Sequence, residues 1–291
     1  MNYRHAFHAG NHADVLKHAA LLELCDALCA KPAPLFALDT HAGRGLYFLN
    51  DPQAQRTQEA QGGIGRFDGA TAPAPLRRYL SAIAACRRAH GLHSYPGSPW
   101  LLAHALRAQD RIACCELQPD EATELRSRVG DDPRVGVHQR DGYAAMRALL
   151  PPKIGDTRFN RGLVLIDPPY EAQLAEYDEA FSALREAQAR WPQATYALWY
   201  PIKTRRALQP MYRRAATLPA RSVMVAELLV RSDDSPLRMN GSGLLLLDAP
   251  WKFDERLRAL LPALAEALGE AGADPRDRGA GWRVDWLKAP P

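Results

Sequence analysis

Residues 163–170 read Leu-Val-Leu-Ile-Asp-Pro-Pro-Tyr, four aliphatic residues running straight into an acid, two prolines and an aromatic. A short aliphatic run of this kind predicts a buried strand. An acid at its carboxyl end stands where open α/β sheets bind their ligands. The prolines stiffen the turn, so the Asp167 carboxylate and the Pro168 carbonyl can face one point. Two such acceptors match the two N–H donors of an exocyclic amine. The Tyr170 ring can stack on the base that carries the amine, a contact worth about 1–3 kcal/mol in nucleic-acid sites. With both N–H groups held, the nitrogen lone pair leaves the ring's conjugation and can point at an electrophilic methyl group. Asp167 then works by orientation and by stabilising developing positive charge, and need not be a strong base. An Asp-Pro turn after a strand is common; the whole tetrapeptide behind four aliphatic residues is much less so.

The methyl donor has to be held nearby. The first strand, residues 35–40, ends in Asp39-Thr40-His41-Ala42-Gly43-Arg44-Gly45. Small residues there let a cofactor approach the backbone closely. The dinucleotide-cradling G-x-G-x-x-G pattern does not follow. Glu116 closes another strand, where a carboxylate can accept two ribose hydroxyls, and Asp141-Gly142 closes the next, placed for an adenine edge. Each acid alone is as good a turn residue as a ligand. Asp39 to Gly45, Glu116, Asp141 and Asp167 at successive strand ends are the constellation of an S-adenosylmethionine-dependent amino methyltransferase.

The elements that must carry these residues alternate. Apolar runs at 35–40, 111–117, 134–141, 162–169, 195–201, 222–230 and 241–250, with WRVDWL near the end, are separated by helical stretches. Continuous rather than alternating apolar runs suit strands covered on both faces. The order predicts a mostly parallel sheet with right-handed crossovers, an α/β, Rossmann-like domain over residues 1–49 and 96–291. Residues 13–30 predict a helix with Asn11 as N-cap and Pro32 beyond its end. Residues 50–95 break the rhythm and predict a small helical insertion; residues 269–281 predict an exposed loop. Of the 291 residues, 47% are hydrophobic and 24% charged, ordinary for a soluble globular chain. No apolar run nears the roughly 20 residues of a membrane span, and the N-terminus has no secretory apolar core. Five cysteines without a repeating spacing predict reduced thiols and a cytoplasmic protein.

Six blocks together, YRHAFHAGNHADVLKH, LDTHAGRG, YPGSP, LIDPPYE, YALWYP and NGSG, resemble the RlmJ (YhiR) family, bacterial 23S ribosomal RNA adenine-N6 methyltransferases. The blocks run from residue 3 to about residue 252. The N-terminal block and the DTHAG variant are more specific than DPPY, which amino methyltransferases of many substrates share. The resemblance implies a class I S-adenosylmethionine-dependent methyltransferase with a helical insertion, forming N6-methyladenine at one adenine in domain V of free or partly assembled 23S rRNA. Matched position by position, it implies that His18, His41, Ser98, Glu116, Asp141 and Gly142 contact S-adenosylmethionine, with Lys17 beside it. It makes Asp167 the catalytic residue and has Tyr3 meet the RNA. The insertion, with its DGATAPAPLRRYL, is where the chain departs most from the family.

Four of the nine histidines, His5, His8, His12 and His18, fall within residues 3–18. They follow no zinc spacing and no CxxC accompanies them, so no metal is expected. His18 and His41 go to the cofactor by the resemblance. The other three order the N-terminal segment as a flap, with Tyr3 and Arg4 reaching the RNA. Cys25 and Cys29 share a helix with leucines and read as core thiols. A net charge of +4 does not announce a nucleic-acid binder, but its distribution says more. Residues 203–221 hold six basic side chains and no acid, and residues 50–95 hold six arginines against three acids. The first patch, through Arg213 and Arg214, is expected to meet RNA phosphates. No obligate protein partner is evident and a monomer is expected. A DNA adenine methyltransferase would share DPPY, but no separate DNA-reading domain is evident. A glutamine methyltransferase would have Asn at position 167. A non-catalytic RNA-binding assembly factor has no need of Asp167, Tyr170 and the cofactor loop together.

Overall fold

The computed structural model describes residues 5–69, 72–170, 174–232, 239–270 and 281–291. Eight strands form one sheet: β1 Phe36–Asp39, β2 Arg111–Glu116, β3 Val135–Gln139, β4 Gly162–Ile166, β5 Ala194–Ile202, β6 Val223–Leu229, β7 Gly241–Leu247 and β8 Gly281–Lys288. Their order across the sheet is β8-β6-β7-β5-β4-β1-β2-β3. The five strands β3, β2, β1, β4 and β5 are parallel. β7 inserts antiparallel between β5 and β6, and β8 lies antiparallel on the outer edge of β6. A parallel return needs a crossover of a dozen or more residues; the stretch from Leu229 to Gly241 is shorter than that, so β7 pairs with β6 antiparallel.

Every residue of β1, β4, β6 and β7 is buried, which is why these strands read as unbroken apolar runs. Helices cover both faces. On one side lie His12–Cys29, Arg77–His90, Ser98–Ala105, Pro119–Val129 and Phe253–Leu268; on the other lie Gly142–Leu149, Leu174–Arg190 and Gln209–Ala216. The helix His12–Cys29 starts where the sequence predicts. Asn11 Oδ1 accepts the N–H groups of Ala13 and Asp14 at 3.0 Å each, satisfying two otherwise unpaired donors of the first turn. This helix is buried nearly all round, against β7 and three neighbouring helices, so its pattern shows no single apolar stripe.

Among the described residues of 50–95 lie the helices Pro52–Thr57 and Arg77–His90 and three short 3₁₀ turns, bracketed by an antiparallel pair of short strands, Leu46–Phe48 with Ser94–Pro96. Ile64, Phe67, Leu76, Tyr79 and Ile83 join the same apolar cluster as the first helix and the helix Phe253–Leu268. The segment therefore shares the main core rather than burying one of its own. Two of its arginines are held in ion pairs: Arg78 to Glu23 and Asp26 at 3.0 Å each, and Arg87 to Asp68 at 2.8 Å. All five cysteines are free thiols; four are buried and Cys29 is half-buried. Among the described residues no helix is long and apolar enough to cross a membrane.

Candidate active site

The parallel strands bring their carboxyl ends to one edge, and with them residues far apart in the chain. Asp39 ends β1, Glu116 ends β2, Asp141 follows β3 and Asp167 follows β4. Asp141 caps the helix Gly142–Leu149, its Oδ1 accepting Ala144 N–H at 2.7 Å, which leaves Oδ2 for another donor. Glu116 is held from both sides: Oε2 accepts Gly43 N–H at 2.9 Å and Oε1 accepts Gln118 N–H at 2.7 Å. Burial pushes its carboxyl pKa up.

Two cavities open at this edge. The smaller, of about 170 Å³, is lined by Lys17, His18, His41, Gly43, Ser98, Glu116, Asp141, Gly142, Asp167 and Pro168. Nearly the whole set of expected cofactor residues thus meets around one space. Asp39 does not line it: the side chain is fully buried, and that burial pushes its pKa up to about 7. The larger cavity, of about 570 Å³, is lined by Asp167, Pro169, Tyr170, Trp199, His12 and Arg231, among others. His5, Lys17, Asp167 and Pro169 line both, so Asp167 stands in the wall that separates them.

Close packing sets the shape of the smaller cavity. Gly43 has φ +57°, and a Cβ there would lie 2.2 Å from the Tyr47 hydroxyl. A Cβ on Gly142 would lie 2.2 Å from the Thr40 carbonyl oxygen, so this glycine lets the helix that follows it close against the β1 loop. His18 Nδ1 and the Tyr95 hydroxyl are hydrogen-bonded at 2.9 Å, and His41 Nδ1 meets the Thr40 hydroxyl at 2.7 Å. Burial holds both rings neutral, with pKa values lowered to about 3 and about 4 respectively. The donor set fits S-adenosylmethionine. A backbone-clamped carboxylate at a strand end suits a ribose diol, and the free Asp141 oxygen suits an exocyclic amine.

Lys17, 4% exposed, reaches across from the first helix to Asp167 Oδ2, and its other partner is Asp14 Oδ1 at 2.9 Å. The sequence marks Asp14 only by its spacing of three to Lys17 and four to His18, that of neighbours on one helix face. Tyr170 takes φ +49°, uncommon for a residue with a side chain. Its hydroxyl donates to the Trp199 carbonyl at 2.9 Å, and its ring packs beside Tyr177 and Trp199, at 4.8 and 5.8 Å between centroids. That leaves the tyrosine buried, as part of the larger cavity's wall.

His5 and His8 are tied down. His5 Nε2 lies 3.1 Å from Asp14 and its ring meets Tyr47 edge-on; His8 Nδ1 lies 3.0 Å from Glu59, which also accepts from Asn11 at 2.9 Å. Among the described residues no group of histidine, cysteine and acidic side chains could hold a metal ion. Tyr3 and Arg4 lie outside the described residues. The two expected basic residues differ: Arg213 is exposed, whereas Arg214 is paired with Asp178 and lies 5.0 Å over the Phe181 ring. Both sit on the helix Gln209–Ala216, which descends from the site edge; Lys203 and Arg206, just beyond the end of β5, are nearer that edge and exposed.

A parallel core with an antiparallel strand inserted near one end, and acids ordered along its carboxyl edge, defines a Rossmann-like class I methyltransferase. A family model described as "Ribosomal RNA large subunit methyltransferase D, RlmJ" matches residues 32–288, and the chain belongs to that family. It is 36% identical over 289 residues to "Ribosomal RNA large subunit methyltransferase J" of Haemophilus influenzae, covering 99% of each chain. It is 38% identical over 273 residues to the protein of the same name from Escherichia coli, covering 94% of this chain and 95% of that one. A crystal structure of a Legionella pneumophila protein superposes with a TM-score of 0.79 at 30% identity, covering 96% of this chain and 98% of that one.

Proposed function

We propose that the protein methylates the N6 amine of one adenine in domain V of 23S rRNA, with S-adenosylmethionine as methyl donor, in the cytoplasm and on free or partly assembled rRNA. The observation that carries this reading is Asp167 in the wall between two cavities, one fitting the cofactor and one roomy enough for an unstacked base. A base has to leave its stack to be reached this way, and the Tyr170 ring in the larger cavity's wall offers it an aromatic surface.

When bound, S-adenosylmethionine supplies a methyl group on a positively charged sulfur, which leaves with the S–C bonding electrons as the amine lone pair forms the N–C bond. The chain's own residues do the rest. Asp167 Oδ2 is engaged by Lys17, which holds the carboxylate in one orientation. Oδ1 is then the acceptor for one amine N–H, and the Pro168 carbonyl is the acceptor for the other. Both acceptors favour the cationic amine over the neutral one, because its N–H groups are the stronger donors. The amine becomes acidic only after it gains the methyl group, and water or the same carboxylate can then take its proton. Arg213, with Tyr3 and Arg4 at the N-terminus, would meet the RNA backbone.

The test is transfer of labelled methyl from S-adenosylmethionine to protein-free 23S rRNA, a domain V fragment, duplex DNA and an unrelated RNA, by wild type and Asp167→Ala. Label in N6-methyladenine of both 23S substrates, lost in the variant, is expected. Preference for DNA would overturn the rRNA assignment and leave the chemistry standing. Binding of the cofactor without transfer to any substrate would favour a non-catalytic role.

A further inference from the structure

The helix that follows the N-terminal histidines carries a buried carboxylate that the mechanism above does not use. Asp14 is 2% exposed. Its Oδ1 accepts from Lys17 Nζ at 2.9 Å, and its Oδ2 accepts from His5 at 3.1 Å and from Gly10 N–H at 2.9 Å. One ammonium is thus shared between two carboxylates, Asp14 behind it and Asp167 in front of it. Holding Asp167 in place needs only the lysine. The second carboxylate changes the charge: Asp14, Lys17 and Asp167 together carry −1 rather than zero. Of the rings beside the trio, His18 and His41 are kept neutral by burial and do not cancel that charge; the third, His5, hydrogen-bonds to Asp14 on the side away from Lys17 and is unchanged in every variant compared below. Lys17 and Asp167 face the smaller cavity directly. A fixed net charge among largely buried side chains acts over a longer range than one in bulk solvent.

The methyl donor and the product it leaves behind have the same shape apart from one methyl group, and differ by one unit of charge. S-adenosylmethionine carries a sulfonium; S-adenosylhomocysteine carries a neutral thioether. We propose that Asp14 is a positioning residue that holds Lys17 and sets the Asp14–Lys17–Asp167 trio to a net charge of −1, so that the site favours the charged donor over its neutral product. The inference rests on the cofactor assignment above. In the reaction the same charge faces the positive charge as it passes from sulfur to the amine nitrogen, so the site need not reorganise during transfer.

The test is calorimetric titration of the full-length protein with each of the two compounds at pH 8, for wild type, Asp14→Asn, Lys17→Met and the double variant. Asp14→Asn brings the trio to zero and should lower the ratio of S-adenosylmethionine to S-adenosylhomocysteine affinity about tenfold. That is the size of one unit charge acting over roughly 10 Å at an effective dielectric constant near 20. Lys17→Met takes the trio to −2 and should move the ratio the other way. The double variant returns the trio to −1 and should restore the ratio to within about threefold of wild type by the same reckoning, whatever the absolute affinities. A purely structural role for Asp14 would weaken both compounds alike and leave the ratio unmoved, which overturns the proposal. Should Asp14→Asn fail to fold, Lys17→Met decides alone: an unchanged or lower ratio sinks the idea. If wild type binds neither compound, it is the cofactor assignment that fails.

Discussion

Replacing Lys17 by Met is the sharpest probe of the buried charges at this site. The side chain is 4% exposed and is shared by Asp14, itself 2% exposed, and Asp167. Removing one partner of a buried ion pair costs about 3–5 kcal/mol, mainly because a charge is left uncompensated. Two features lower that figure here. Asp14 keeps His5 and the Gly10 N–H, and the Asp167 side chain retains 13% of its exposure and can draw on water. A loss of about 2–3 kcal/mol is therefore expected at neutral pH, against the larger general cost. For a chain of this length that is a fall in Tm of roughly 5–10 °C. The sign with pH follows from the carboxylate. Asp14 is held well below its ordinary pKa by His5 and Lys17, against the opposing effect of burial, so its contribution is present above the ordinary carboxylate value and fades as pH falls. Without Lys17, Asp14 protonates at higher pH than in the wild type, which relieves the variant but not the wild type. The Tm deficit should be full at pH 7.5 and shrink by more than half near pH 4. Thermal unfolding of both proteins across that range checks it. An equal Tm at pH 7.5, or a deficit that widens on acidification, would refute the reasoning.

Three further outcomes are expected. Asp39, fully buried with its pKa raised to about 7 by burial, stabilises the fold only where it is protonated, and that contribution is lost as pH rises through 7. Asp39→Asn should therefore gain about 2–3 kcal/mol over wild type between pH 5 and pH 8, and urea unfolding at the two pH values reads it. Gly142→Ala would put a Cβ 2.2 Å from the Thr40 carbonyl oxygen, and backbone cannot yield as a side-chain tip would. The helix should shift, costing about 1–3 kcal/mol of stability and at least a comparable share of cofactor affinity, measured by titration. Arg213→Ala should raise the RNA KM and reduce the slope of log affinity against log salt by about one. Arg214→Ala, which breaks the contacts to Asp178 and Phe181, should instead lower Tm with a smaller change in salt slope; equal salt slopes for the two variants would show that both touch RNA.

Much of the site was legible because its signals are local. An aliphatic run followed by Asp-Pro-Pro-Tyr states a strand, its end and a rigid turn within eight residues, and the parallel order follows from alternation with helices. Cofactor residues at successive strand ends could be named as a set for the same reason: parallel strands deliver their carboxyl ends to one edge whatever the side chains. The helix cap at Asn11 and the core thiol at Cys25 are readable from spacing alone, whereas Cys29, expected in the core beside it, is half-buried. Position within the edge was not. Asp39 shares the strand-end signature of Glu116 and Asp141, yet lies outside the cavity lining, because β1 is central and buried on both faces. Arg213 and Arg214 are adjacent and alike in sequence, and only the packing of the helix Leu174–Arg190 beside them gives Arg214 an acid and an aromatic ring.

By itself, the sequence determined the chemistry offered at the site: two acceptors for an amine, a run of acids for a nucleoside-bearing cofactor, an aromatic beside the base, and the family to which these belong. The tertiary structure alone decided which charges share one enclosure. Asp14 and Asp167 are separated by most of a domain in the chain, and a single buried ammonium joins them. No periodicity or motif can report that contact, because it depends on the first helix crossing the sheet where β4 ends. The physical reason is range: secondary structure is written in spacings of two to four residues, whereas the energy of a buried charge depends on every group that folding brings within about 10 Å.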